Sequence, residues 1–319
     1  MLKYFLKRAI LIIPTLLIIL TIVFILMRCI EGSPAYIILE QNGEEILQER
    51  VEEIEDELGI NDPIIVQYGN YLKGIVTGDW GKSYMRGGKD VFDNMKAVWE
   101  PNIVLAIYAT VITVLIGLPI GILSATHRNS ALDYAVTSLS MVAHVIPGFV
   151  AGLLLIYFFG VKLHWFPVTG YRTIAKEGLG GSLYSLTLPA FALGLAHVAS
   201  LVRYTRSCML DVLSQDYIRT ARAKGLSRNK VYYKHALKNT LSIVGTQIIY
   251  SVVAMIGGAT VVEKVFNING MGTLAVDSMG NRDYPQEQAI VLVIALISLG
   301  LDLLMDVLYK LLDPRIEYD

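Results

Sequence analysis

The chain has 319 residues, 54% hydrophobic and 17% charged, with a formal net charge of −1 and a mean hydropathy of +0.52. Soluble domains carry roughly 25% charged and about 45–50% apolar residues, so these values argue against an ordinary soluble enzyme, a disordered tail and a nucleic-acid binder. Cys29 and Cys208 lie far apart at no metal-ligand spacing, which leaves neither a disulfide framework nor a zinc site.

A membrane-spanning helix needs about 20 predominantly apolar residues, because each adds about 1.5 Å across a hydrocarbon core of about 30 Å. Six stretches meet that need, approximately Ala9–Met27, Asn102–Ala125, Tyr134–Gly160, Thr187–Val202, Thr240–Val262 and Ala289–Tyr309. The first follows Lys3, Lys7 and Arg8, as a signal peptide would. Its apolar run is long, however, no small-x-small cleavage site follows, and Arg28 stands where a lipoprotein signal at Cys29 requires a small residue. A retained anchor is expected.

The connection Ile30–Trp99 carries 14 acidic and 6 basic residues, which places it outside the cell. Within it Leu47, Val51, Ile54 and Leu58 recur at helical spacing among Glu44, Glu45, Glu49, Glu52, Glu53, Glu55, Asp56 and Glu57, and Gly59 supplies a stop. The pattern predicts an amphipathic helix over the outer mouth or against a partner; a solvated acidic face without further role is the alternative.

In the second and third spans, Gly117–Gly121 and Gly148–Gly152 each form a G-x-x-x-G, which lets two helices approach closely. Pro14, Pro119, Pro147 and Pro189 interrupt the hydrogen-bond ladder and can kink their spans. Together they favour a moving bundle over a rigid anchor. His144, the titratable group well inside the third span, reads either as a packed neutral histidine or as a proton relay; His197 likewise stands singly. The fourth span is the weakest and continues into the polar stretch after Val202.

The next connection is strongly basic, with Arg203, Arg206, Arg219, Arg222, Lys224, Arg228, Lys230, Lys234 and Lys238 against Asp211 and Asp216. Positive charge marks the cytoplasmic side, so six spans leave both termini inside. Leu213-Ser214-Gln215-Asp216 offers caps for a helix Tyr217–Lys224, Gly225 stops it, and Ser227 starts a second helix through Lys238. Topology explains the charge but not this helix-Gly-Ser-helix punctuation. In the last span Asp302 and Asp306 sit one turn apart, where they could pair with basic residues of that loop. The chain has no G-x-x-x-x-G-K-[ST], H-E-x-x-H or G-x-S-x-G, and no T-V-G-Y-G filter, so it holds no phosphate-binding loop for ATP. No catalytic, cofactor-binding or metal residue is expected.

The segment Asp216-Tyr217-Ile218-Arg219-Thr220-Ala221-Arg222-Ala223-Lys224-Gly225-Leu226-Ser227, followed by His235-Ala236-Leu237-Lys238-Asn239, resembles the "EAA" loop of ABC importer permeases. More narrowly it is similar to the first of two permeases in the dipeptide, oligopeptide and nickel importer family. Gly78-Asp79-Trp80-Gly81-Lys82-Ser83-Tyr84 resembles that family's G-D-L-G-x-S signature. Val262–Gly272 with Arg282-Asp283-Tyr284-Pro285 resembles its F-x-x-P-G-x-G turn, with Asn269 in place of the usual proline. Leu312-Asp313-Pro314-Arg315-Ile316 is similar to its closing L-D-P-R-I.

The resemblance implies an all-α integral membrane protein of six transmembrane helices, like an ABC type I importer permease. It would divide into residues 1–29 (cytoplasmic tip and first span), 30–101 (external segment) and 102–319 (five-span core with a coupling loop at 203–238). The implied partners are a second permease, one or two ATPase subunits carrying ATP and Mg, and an external substrate-binding protein, in the cytoplasmic membrane of a bacterium or archaeon. The implied coupling helix presents Tyr217, Arg219, Thr220, Ala221, Arg222, Ala223 and Lys224 to the ATPase, Ala221 and Ala223 being small enough for close contact, with Gly225 as hinge. The implied cargo is a di- or oligopeptide, with a nickel chelate or another small solute as alternative; a stand-alone channel or secondary carrier is the alternative from another class, against which the punctuated inner loop argues.

Overall fold

Backbone polar groups in hydrocarbon must bond within their own segment, so an apolar chain of this composition folds as helix. The computed structural model describes residues 2–312 apart from Arg86, with the backbone alone for 2–9 and 305–312. Among the described residues the only β pairing is an isolated antiparallel bridge between Lys82 and Asp90. The helices are α1 (Leu2–Cys29), α2 (Pro34–Asn42), α3 (Gln48–Glu57), α4 (Ile64–Thr77), α5 (Val91–Thr126), α6 (Ala131–Val145), α7 (Gly148–Leu155), α8 (Ile174–Leu213), α9 (Asp216–Ala223), α10 (Leu237–Gly258), α11 (Thr260–Val265), α12 (Met271–Gly280) and α13 (Tyr284–Leu312). A π-helical segment, Ile156–Lys162, extends α7, and another, Lys230–Ala236, leads into α10.

Among the described residues five helices are long and apolar enough to cross a membrane: Ile10–Cys29, Val91–Thr126, Ile174–Leu213, Lys230–Gly258 and Tyr284–Leu304. The predicted third span Tyr134–Gly160 is broken where Pro147 was expected to kink it. It is a pair, α6 and α7 with its π extension, bent by 100°, and it makes the sixth crossing only when taken together. Pro147 is the cause, because it bars the residue before it from helical conformation. Ile146 is accordingly extended, with ψ 120°, and Pro147 becomes the N-terminal boundary of α7.

The chain falls into two compact units. One comprises the residues up to Glu100 together with Gly270–Gly300; the other comprises Pro101–Asn269 and the residues from Leu301.

In the first unit the predicted amphipathic helix forms as α3, with α2 before it and α4 after it. The stripe of Val51 and Ile54 on α3 is covered by Ala35 and Leu39 of α2, so its own chain occupies the apolar face, while the surrounding glutamates stay mostly exposed. Ser33 caps α2, its hydroxyl accepting from Ala35 N, with Pro34 at the first helical position. A second cluster joins Val91, Met95 and Val98 to Met271, Leu274, Ala289, Ile290 and Val293.

In the second unit the fourth span, weak by hydropathy, is the most enclosed of the candidate spans. The predicted glycine contacts hold. A Cβ on Gly121 would lie 2.7 Å from Thr205 Cβ and 2.8 Å from the Val202 carbonyl, and one on Gly117 would meet Leu201 Cδ2 at 3.0 Å. On Gly152 it would meet Phe266 at 3.1 Å.

Candidate functional site

An isolated helix of eight residues is marginal in water, so α9 needs a surface to lie on. Ile218 is fully buried and Ala221 is 6% exposed. They enter one cluster with Ile122 and Ala125 of α5, Met209 and Val212 of α8, and Val231 and Ala236 of the α10 lead-in. Burying an isoleucine of this kind contributes about 1.5–3 kcal/mol, which holds the helix on the unit. Asn239 Nδ2 donates to the Tyr217 hydroxyl at 2.6 Å, and the Thr220 hydroxyl donates to the Asp216 carbonyl at 3.0 Å.

The opposite face is open. Tyr217, Arg219, Thr220, Arg222, Ala223 and Lys224 are exposed, and Arg219 pairs with Asp216 at 3.3 Å on that face. Exposed pairs of this kind contribute little, so the guanidinium remains free to take another partner. Arg222 and Arg228 line a groove with Leu226, Val231 and Tyr232. Gly225 ends the helix with φ +75°; its N–H bonds the Arg222 carbonyl at 3.0 Å, and nothing lies within 4 Å of where its Cβ would be. That left-handed geometry is glycine's province.

Of the eight residues predicted as the coupling site, seven therefore stand on the exposed side of the helix or at its C-terminal end. Ala221 does not: it faces its own chain, and the small side chain serves packing inside the unit. The helix pair is also different from expectation. The second helix does not stop at Lys238 but runs without interruption through Lys230–Ala236 into α10, and α8 extends to Leu213. The connecting loop at 203–238 thus shrinks to α9 and the turns that flank it. The spacing of Ile218 and Ala221, three apart among charged residues, was the available signal for a docked inner face.

The same unit holds a charged anchor that sequence reasoning missed. Asp133, 2% exposed by its side chain, accepts from Arg206 Nε at 2.6 Å and Nη2 at 2.8 Å, from Ser124 Oγ at 2.6 Å and from Asn129 N at 2.9 Å. The pair ties the start of α6 to α8 and to the end of α5. Arg206 is the fork-shaped cation such a bidentate contact requires.

Of the other predicted residues, His144 and His197 lie close enough to interact electrostatically. His144 is exposed on this chain rather than packed, and His197 is half-buried. Asp302 is exposed and forms no ion pair among the described residues; the Asp306 side chain and the closing residues 313–316 lie outside them. Asn267, with φ +50°, makes the turn after α11, Ile268 N bonding the Glu263 carbonyl at 2.8 Å. The turn therefore forms without proline at position 269. In the first unit the Gly78–Tyr84 and Arg282–Pro285 motifs meet: Asp283 accepts from Tyr84 N at 3.0 Å and from the Ser83 hydroxyl. Asn94 Nδ2 donates to Gln286 Oε1 at 2.9 Å beside them.

Comparison with known proteins gives the same reading of the whole chain. Residues 117–318 match the family described as binding-protein-dependent transport system inner membrane component, and residues 1–100 match the N-terminal family of such membrane components. The chain is 40% identical over 319 residues to the oligopeptide transport system permease protein AppB of Bacillus subtilis, covering all of both chains. It is 37% identical, again over both full lengths, to the oligopeptide transport system permease protein OppB of Escherichia coli. Among solved structures it resembles a chain of the inward-facing MetNI methionine ABC transporter, with a TM-score of 0.57 at 15% identity, covering 69% of this chain and 96% of that one. That likeness concerns the fold alone. A multi-pass helical bundle with this docked basic helix, matched along its length, belongs to the family of binding-protein-dependent transport system inner membrane components.

Proposed function

We propose that this chain forms, with a second permease, the membrane path of an ATP-driven importer of di- or oligopeptides handed over by an external binding protein. The observation that carries the reading is α9: a short helix held on its own unit by Ile218 and Ala221, with a basic outer face and a left-handed glycine at its end. A cytoplasmic ATPase groove would receive that face, Arg219, Arg222 and Lys224 meeting its surface. Because the inner face is tied to α5, α8 and the α10 lead-in, a displacement of α9 passes to three membrane helices as a unit. ATP and Mg belong to the ATPase subunits, and this chain converts their closure into alternating access without chemistry of its own. Peptide as cargo is supported by the names of the full-length relatives. The excess of lysine and arginine around α9 supports a cytoplasmic location for that loop and for both termini.

A tagged pull-down from native membrane in mild detergent tests the assembly. A second permease and ATPase subunits should co-purify, and reconstituted vesicles should take up labelled peptide only with ATP and the external binding protein. Recovery of the chain alone, under conditions that preserve other complexes, would overturn the importer reading. Assembly without peptide uptake would overturn the cargo.

A further inference from the structure

Although α4 is mostly apolar, none of its side chains is fully buried. At about 100° per residue the helix divides into two arcs. Ile65, Tyr68, Leu72, Ile75 and Val76 make one; Gln67, Asn70, Lys73 and Thr77, with Val66, fall on the other. The chain covers the apolar arc only along the edge of Tyr68 and Ile75, which are half-buried. Farther round, Ile65 is 82% and Val76 87% exposed. Water is a poor solvent for such a stripe.

Contacts with α1 fix where the stripe lies. Arg28 is the charge that ends the apolar run of that span, and its Nε donates to Gln67 Oε1 at 2.8 Å. The Phe24 ring meets the Tyr68 ring edge-on with centroids 5.0 Å apart and the Tyr71 ring at 5.8 Å. The Tyr68 and Thr21 hydroxyls share a hydrogen bond at 2.6 Å. Thr21 precedes Arg28 by seven residues, which on a helix is about 10 Å toward the middle of the span. Tyr68 thus reaches past the charged end of α1, and α4 lies alongside its last turns. Ile25 and Leu26, exposed on α1 at the same level, need hydrocarbon around them in any case.

Charge sorts the same way. α3 carries six acidic side chains between Glu49 and Glu57, which keep it in water, whereas α4 has no acidic residue and a single cation, Lys73, on its polar arc. Interfacial helices have this pattern, and they sink their apolar face about 5–10 Å into the boundary between headgroups and acyl chains. A tyrosine between the two arcs suits the headgroup level.

We propose that α4 is a lipid-resting helix: Ile65, Leu72 and Val76 lie among the acyl chains of the leaflet at the Cys29 end of α1, while Asn70, Lys73 and Thr77 face headgroups and water. Gly78 ends the helix with φ +79° and the Asp79–Tyr84 segment follows at once, so the bilayer sets the height at which that segment is held. The inference needs only that α1 spans a membrane, and it stands whatever cargo the chain passes.

The test is spin-label accessibility in the purified complex, reconstituted in vesicles of phosphatidylcholine and phosphatidylglycerol. Ile65→Cys, Val76→Cys, Asn70→Cys and Lys73→Cys are each made on a Cys29→Ser chain, Cys208 being buried, and each carries a nitroxide. The signal of the Cys29→Ser complex is subtracted. Oxygen concentrates in hydrocarbon and a neutral nickel chelate in water. At 65 and 76 relaxation by oxygen should exceed relaxation by the chelate, and at 70 and 73 the order should reverse. Chelate prevailing at all four positions would put α4 in water. Shielding of 65 and 76 from both relaxants would put protein over the apolar arc, and either result overturns the proposal. All four side chains are exposed, so the substitutions leave the packing of the unit intact. Co-purification of partner subunits reads the importer assembly separately.

Discussion

Replacing Asp133 by alanine removes the acceptor for four hydrogen bonds at once and strands the Arg206 guanidinium, together with the Ser124 hydroxyl and the Asn129 N–H. Breaking a buried ion pair from one side costs about 3–5 kcal/mol. The lower end applies here, because the Arg206 side chain is 27% exposed and can recover part of its hydration. At 2–4 °C per kcal/mol for a unit of 150–250 residues, a loss of about 3 kcal/mol lowers the unfolding midpoint by about 6–12 °C. The assay is thermal unfolding of the purified complex in one detergent, for the native chain, Asp133→Ala and Asp133→Ala/Arg206→Met. The double variant leaves no stranded charge and should regain part of the loss, the Ser124 hydroxyl and Asn129 N–H still lacking their acceptor. The loss in the single variant should also persist at high salt, because a buried pair is poorly screened. A single variant within 2 °C of native, or a double variant as unstable as the single, would refute the anchor.

Gly225→Val places a β-branched residue at φ +75° with open space around it, so the cost is backbone strain of about 1–2 kcal/mol. Peptide uptake per ATP hydrolysed in reconstituted vesicles should fall, and Gly225→Asn should lie between the two; an unchanged ratio for valine removes Gly225 from the hinge role. Ala221→Trp should overpack the cluster at Ile122 and Met209 and destabilise the chain by about 1–3 kcal/mol. Ala223→Trp, on the exposed face, should instead weaken ATPase co-purification and leave the unfolding midpoint within about 0.5 kcal/mol of native; the reverse pattern would invert the assignment of the two faces. Gly121→Ala should cost about 1–3 kcal/mol because its Cβ would strike Thr205 and the Val202 carbonyl. Gly257→Ala, with nothing within 4 Å, should be neutral or stabilising by up to about 1 kcal/mol in the same unfolding assay.

Hydrocarbon accepts only long apolar helices, and for that reason most of the spans, the sign of the connection around Arg219 and the position of the stop at Gly225 were legible in the residues alone. The glycine pairs at 117–121 and 148–152 announced close helix contact for the same reason: only a missing Cβ permits it. Three things were not legible. The third span reads as one apolar run in which Pro147 marks the place of a kink, but the size of that kink, 100°, is set only by the backbone at Ile146–Pro147. Ala221 and Ala223 are the same residue two positions apart, and a helix turns about 200° between them, so which one meets its own chain depended on where Ile218 docks. Asp133 and Arg206, like Ser83 and Asp283, are single polar residues separated by long stretches of chain. Local periodicity carries no information about such partners, whereas folding brings them to within hydrogen-bond distance and so decides which charges can be buried.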